Sequence, residues 1–459
     1  MSDSNRFYSI LKPILADLSE CFSRKRGVLT PKSVLYCLLQ LVVQNNKGYQ
    51  GALEVFEDPF WWSVFEVTDH VPTKGALSKA RKKMSEAWFW ELFCNLRDAL
   101  IAEQPQQLLQ YHDFRLVAVD ATDLELPIDK RLTDHFGERA NQNGSLGVPY
   151  AGVTAIMDIG RQVLLDFTTT AGKPNERAEL KTLIRSLRPG DLLLADRGYP
   201  SREIFHALRE HNVDYLIRMT TNQFKAVDDF LATGEREAVV TISGMDKKGR
   251  ERLYDDFQVR LLREDKKDQE KPAVYATSLL DIQCYTFNDL TYLYTKRWAI
   301  ETSYRELKMY FDTEKIHART VLGVKQELIV TAIYHLFLSL MELETYRSQG
   351  VNPVVVERVV QRATQANEPE ITVPIRDVLT CTYTFSKPYM MQLVGTVVGC
   401  LLTKKYDEAL WRSQRYVRRI WRNRQKRRPG RSYSRVPKSA NAKNKTARRA
   451  SQRTKKKDP

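Results

Sequence analysis

Tyr294, Arg297, Glu301 and Lys308 stand within the stretch YTKRWAIETSYRELK, at successive intervals of three, four and seven residues. Read as one continuous helix, steps of seven return to almost the same side of the cylinder and a step of three lands on the adjacent ridge. A phenol, a guanidinium, a carboxylate and an ammonium would then share one face. Such a stripe is costly to bury without partners. It suits a site that holds a divalent metal and grips phosphates, where a carboxylate must lie beside a bidentate cation and a point-charge cation. That is phosphodiester chemistry. The competing reading is a solvated helix face laced with ion pairs. What decides between them is whether further acids sit on elements able to meet Glu301.

Two aspartates fit. RLVAVD, Arg115 to Asp120, is a short apolar run with β-branched Val117 and Val119 that closes on a carboxylate. LLLADRGYPS, Leu192 to Ser201, closes a second apolar strand on Asp196, after which Ser201 caps a helix carrying Ile204, Phe205 and Leu208. A carboxylate at the end of a central strand is fixed by rigid backbone, where a second from a neighbouring strand can share an ion with it. Asp113, Asp123, Asp158 and Asp191 are competitors that read as turn formers. Asp158 belongs to a hairpin turn in DIGR. Asp123 competes most directly, and Asp120 is preferred because it ends the apolar run.

Between the two aspartates the pattern gives strands over Val148 to Asp158 and Gln162 to Thr170. A helix then begins near Asn175, with Leu180, Leu183, Ile184 and Leu187 at helical spacing, and stops at Pro189 and Gly190. After Asp196 come a helix and the strand DYLIRM. The order is that of an α/β, ribonuclease H-like catalytic domain.

The spacing Tyr, two residues, Arg, three residues, Glu, six residues, Lys resembles the insertion sequence four family of bacterial DDE transposases. Trp298, Ile300, Tyr304, Arg305 and Leu307 add to that resemblance, which covers roughly residues 73 to 345 strongly. The first acid region departs from it, with Asp-Ala-Thr at 120–122 where Asp-Gly-Thr is more usual. The resemblance implies a ribonuclease H-like fold and a DNA transposase acting on terminal inverted repeats by metal-dependent cleavage and strand transfer. Asp120, Asp196 and Glu301 would be catalytic and would hold two Mg²⁺ ions, with Mn²⁺ able to substitute. Tyr294, Arg297 and Lys308 would bind DNA phosphates, while Trp298 either packs in the core or stacks on a displaced base. The resemblance also implies a β-rich insertion laid over the active site, here 222–283, where VVTIS and QVRLL alternate as strands do. It further implies contact between the transposon end and the basic helix TKGALSKARKKM, through Lys74, Lys79, Arg81, Lys82 and Lys83. Arg431, in an arginine-rich stretch with interleaved Tyr416, Trp421 and Tyr433, matches the family's basic C-terminal region, though Ser434 stands where a proline is common.

The whole-chain composition is compatible with this. At 459 residues, 42% of them hydrophobic, the chain can build a large core and two to four domains. Six cysteines form no CxxC pair, which excludes a disulfide framework and a zinc site of the usual spacing. Of 72 Lys and Arg, 20 lie between Arg412 and Pro459 with one acid, Asp458, leaving a nearly neutral body and a strongly basic tail. A tail with almost no aliphatics after Ile420 cannot form a core and suits phosphate neutralisation. The expected layout is a helical N-terminal DNA-binding region (1–108), with a core face of Val34, Leu35, Leu38, Leu41 and Val42. The catalytic domain (109–345), a helical C-terminal region (346–411) and a disordered basic tail (412–459) follow. Phe60, Trp61, Trp62, Trp88, Phe89 and Trp90 would pack between the N-terminal helices. The apolar run from Leu328 carries His335 and Glu342 and reads as a core helix, too short and polar for a membrane span. The expected partners are double-stranded DNA at transposon ends and target, no membrane, and a second protomer when assembled on DNA. The expected location is the bacterial cytoplasm, with nucleoid association when bound. A metal-dependent endonuclease without joining activity, and a catalytically inactive DNA-binding regulator, remain the alternatives.

Overall fold

The computed structural model describes residues 5–18, 21, 29–43, 48–57, 71–103, 110–141, 144–160, 163–245, 251–265, 271–297, 300–301, 316–349 and 383–426. Its centre is a mixed sheet. The strands are β1 (Gln110–Tyr111), β2 (Phe114–Glu125), β3 (Glu138–Asn141), β4 (Gly144–Asp158), β5 (Val163–Ala171), β6 (Asp191–Ala195), β7 (Asp214–Met219), β8 (Glu237–Ile242), β9 (Phe257–Glu264) and β10 (Ala273–Thr277), with a separate pair of β11 (Tyr383–Thr384) and β12 (Gln425–Lys426). The main path runs β3-β4-β2-β6-β7-β10-β9-β8, with β5 also paired to β4. β2, β4 and β5 form an antiparallel meander, whereas β6 joins β2 in parallel and β7 joins β6 in parallel.

The β2–β6 register is pinned at its start by charge. Arg115 pairs across from Asp191 and donates from Nε and from its second terminal nitrogen to the two Asp191 oxygens, at 2.7 Å each, with both residues buried. Two parallel charge-assisted bonds fix both distance and orientation. Asp191 therefore does more than form the turn expected of it, although it also accepts from the Arg188 amide at 2.9 Å. The same pair sets the phase of β2. Leu116 and Ala118 enter one apolar cluster, and Val117 and Val119 enter the other on the opposite face.

The helices are α1 (Arg6–Ala16), α2 (Pro31–Val43), α3 (Gly48–Leu53), α4 (Lys74–Arg81), α5 (Glu86–Glu103), α6 (Lys130–Phe136), α7 (Glu176–Leu183), α8 (Arg202–Glu210), α9 (Lys225–Thr233), α10 (Phe287–Thr295), α11 (Val321–Arg347), α12 (Lys387–Leu402) and α13 (Tyr406–Arg422). Several starts are local capping events. Thr73, Asn175 and Ser201 each accept a backbone N–H three residues on. α11 has 27 residues, long and apolar enough to cross a bilayer, and is therefore longer than the sequence suggested. It is a core helix here, packed against α2, α5, α12, α13 and β5.

Three expectations change. The insertion strands β8–β10 are not a layer of their own, because β10 pairs antiparallel with β7 and they extend the same sheet. The N- and C-terminal helical regions are one body: α1 packs on α12 and α13, Ser413 donates to Asn5 Oδ1 at 2.7 Å, and the Arg6 amide donates to Glu344 at 3.1 Å. The basic tail begins later than 412, since α13 runs to Arg422 and buries Tyr416, Val417 and Ile420. Of the aromatic cluster, Trp88 and Phe89 are buried and Trp90 packs on Phe93 and Phe167, while Phe60, Trp61 and Trp62 lie outside the described residues.

Candidate active site

Asp120 and Asp196 come level by register. Ala118 pairs with Leu194 across the parallel strands, and each aspartate lies two residues further on. Asp120 does not end its strand. β2 continues to Glu125, paired only with β4 beyond this point, so the aspartate sits mid-strand where the parallel pairing stops. Being two beyond Ala118, it faces the cluster that contains Leu290, Leu293, Tyr294 and Ile300. Asp123, three residues on, falls on the other face of the strand, and its carboxylate is bound by Arg139, which also reaches Glu125 at 3.1 Å. The two candidates for the first acid are thus separated by strand parity.

Asp196 is held by its own turn, with the Gly198 amide donating to its Oδ1 at 2.8 Å. A Cβ at Gly198 would meet the Glu176 carboxylate, which stands in the first turn of α7 and would have to move aside. Arg177 ties the same turn to α7 by donating to the Gly198 carbonyl at 3.1 Å. Glu176 is thus a further carboxylate beside Asp196. Burial raises its pKa first, and the charge of Asp196 raises it further. Nothing in the sequence singles it out, because an acid in a first helical turn is ordinary dipole compensation.

Glu301 is not on a continuous helix with Tyr294. α10 ends at Thr295, and the chain tightens into three-residue hydrogen bonds, Arg297 N–H to Tyr294 and Ile300 N–H to Arg297, both at 3.1 Å. The tightening points Arg297 inward. Its guanidinium donates to Glu301 Oε1 at 2.7 Å and lies 3.9 Å from Asp120 Oδ1, with only 6% of the residue exposed. Tyr294 is equally buried, its ring 4.5 Å from that of Tyr275 and under the Arg297 guanidinium. Both are buried here rather than presented on an exposed helix face. Arg297 acts here as the counter-charge of the carboxylates, and Tyr294 as its support. Lys308 and Trp298 lie outside the described residues, as does Arg431.

The electrostatics record the crowding. Asp120 is pushed up to about 6, above all by burial and then by Glu301 and Asp196, against the lowering effect of Arg297 and the Ala121 amide. Among the described residues no three His, Cys, Asp or Glu side chains are placed to chelate one ion as they stand, because Arg297 occupies the space between Asp120 and Glu301. The donor set itself fits a hard divalent cation: it is all carboxylate oxygen, repelling itself, and its counter-charge is a side chain able to rotate away.

Of the basic-helix residues, Lys74, Lys79, Lys82 and Lys83 are exposed and Arg81 is not. Arg81 donates to Gln326 at 2.9 Å, to Glu327 at 2.8 Å, to the Gly323 carbonyl at 2.8 Å and to the Tyr49 hydroxyl. Its expected role on DNA is therefore replaced by a structural one, fastening α4 to α11.

Residues 111–337 match the family model described as the transposase DDE domain. The match spans every strand of the main sheet from β2 to β10 and Asp120, Asp196 and Glu301. Comparison of the chain with curated proteins gives no match.

Proposed function

We propose that the protein is the DNA transposase of a bacterial insertion sequence of the insertion sequence four type, built on a ribonuclease H-like domain. It would bind terminal inverted repeats and catalyse metal-dependent cleavage and strand transfer. The strand order β5-β4-β2-β6-β7, antiparallel for the first three and parallel for the last two, supports the ribonuclease H-like reading. The observation that carries the function is the convergence of Asp120 and Asp196 on the register of β2 and β6, with Glu301 tied to the same Arg297.

Asp120, Asp196 and Glu301 would hold two divalent ions, Mg²⁺ with Mn²⁺ as a substitute. Bound there, the ions supply Lewis-acid stabilisation of the attacking and leaving oxygens of a phosphodiester. Arg297 keeps Asp120 and Glu301 compatible while they lack that charge, and by turning outward it would offer a bidentate contact to a phosphate. Exposed Lys79 and Lys82 add sequence-independent attraction for the duplex.

The test is a set of isosteric variants assayed on labelled terminal-repeat DNA. Asp120→Asn, Asp196→Asn and Glu301→Gln should each lower cleavage and strand transfer by at least about 10³-fold while repeat binding persists, because phosphate contacts are separate from the acids. Asp123→Asn should cost little. Loss of cleavage in Asp123→Asn with retention in Asp120→Asn would reverse the assignment of the first acid, and cleavage without joining in the parent chain would make it an endonuclease.

A further inference from the structure

A cavity of about 930 Å³ opens where the helical body meets the sheet. It is lined by Lys74 and Lys82 beside α4, by Arg131 in α6, and by His317 and Arg319 in the segment leading into α11, and among the described residues no Asp or Glu lines it. Lys74, Lys82, Arg131 and Arg319 are all exposed. Among the described residues no ion pair is made by Lys74, Lys82 or Arg319, while Arg131 binds Asp129 with two bonds of 2.9 Å and Asp129 also feels the charge of Arg319.

The floor is rigid and nearly neutral. Arg81 is buried there and matched by Glu327, whose other oxygen accepts the His317 amide at 2.7 Å and the Ala318 amide at 3.4 Å. Gln326 completes the floor by donating to the carbonyls of Arg81 and Met84, at 3.1 and 2.8 Å. The rim cations therefore stand on a fixed base, Arg131 shared with Asp129 and Lys74, Lys82 and Arg319 making no ion pair among the described residues. The volume is at the upper end of small-ligand pockets and far larger than one phosphate requires. A polyanion with regularly spaced charges matches it better than a single anion.

We propose that this groove is a phosphate-backbone cradle for duplex DNA, and that Arg131 and Arg319 are phosphate-binding residues acting with Lys74 and Lys82. The proposal rests on the transposase reading and adds to it a binding surface that no residue of the 294–308 stripe supplies. Pro127, which lines the groove, follows the strand that bears Asp120, so the same strand links the cradle to the acids. Sequence alone gave no signal for it, since Arg131 and Arg319 are far from the α4 helix in the chain and are brought to it only by the fold.

The experiment measures binding of the full chain to a fluorescent duplex of random sequence by anisotropy, with EDTA present, over a series of salt concentrations. The double variant Arg131→Ala with Arg319→Ala should flatten the slope of log affinity against log salt by about 1.8, two phosphates at about 0.9 each. Arg319→Lys should keep the slope of the parent, since the charge on the phosphate survives as a point charge. Lys225→Ala, in α9 on a different part of the molecule, should leave both affinity and slope unchanged. A double variant that melts like the parent yet binds with the same affinity and slope would overturn the cradle and leave the transposase reading standing. A parent chain that fails to bind duplex DNA at all would overturn both.

Discussion

Arg297 contacts two carboxylates at once, and the arrangement says what each costs. Asp120 is buried, faces the charges of Glu301 and Asp196, and has its pKa raised from the ordinary aspartate range to about 6. The sign of the consequence follows from proton counting. Between about pH 4 and pH 6 the folded chain keeps a proton that the unfolded chain has released, so metal-free stability falls as pH rises through that window and stays reduced above it. At pH 7 the penalty is on the order of 3 kcal/mol. Asp120→Asn cannot ionise and escapes it. In EDTA the variant should therefore melt at a higher temperature than the parent at pH 7, and the advantage should shrink toward nothing near pH 4. Differential scanning calorimetry at the two pH values checks this, and an Asn variant that melts lower at both would mean that the carboxylate is a net structural asset. Function is a reason to keep so unfavourable a group, since a site for divalent ions must carry repelling charges before the ions arrive.

At the scale of elements, what could be read from the sequence was local. Strand β6, the helix starts at Thr73 and near Asn175, the cap at Ser201 and the alternation that became β8 and β9 depend on residues within a few positions of each other, and they stand where the sequence suggested. The misreadings involve distant partners. Helical spacing cannot reveal that the chain tightens after Thr295, nor that Arg297 then lies 3.9 Å from Asp120 on a strand far away in the sequence. A charged residue in a basic helix carries no mark of burial, and Arg81 finds Gln326 and Glu327 more than two hundred positions away. Its burial makes a prediction about stability. Arg81→Ala would leave Glu327 buried without its counter-charge and should cost about 3–5 kcal/mol, as removal of one member of a buried pair does. Lys82→Ala, one position along and exposed, should stay within about 0.5 kcal/mol. Urea denaturation of the two variants separates them, and equal midpoints would show that the α4–α11 clamp carries no stability.

Across the whole molecule, charge and core are divided differently from the chain order. Helices from both ends make one apolar body around α11, so the N-terminal residues are structurally continuous with α12 and α13. The basic excess is not spread over that body, since 20 of the 72 Lys and Arg follow Trp411. Part of this excess rides on the outer face of α13, whose inner face is anchored by Tyr416, Val417 and Ile420. Apart from Pro459, the last twenty residues carry no apolar side chain larger than alanine, and their effect on DNA should be purely electrostatic. Deleting Ala440 to Pro459 removes Lys443, Lys445, Arg448, Arg449, Arg453, Lys455, Lys456 and Lys457 and leaves every described element intact. The melting temperature should be unchanged. Affinity should fall for terminal-repeat and random duplexes alike, and the slope of log affinity against log salt should shrink by about 0.9 for each phosphate that the shortened chain no longer neutralises. The ratio of the two affinities should hold, because binding to phosphate carries no base information. Titrations of both duplexes at several salt concentrations give the slope and the ratio together. A truncated chain that loses its preference for the repeat while its salt slope stays that of the parent would mean that the tail reads bases, and the electrostatic account of it would fail.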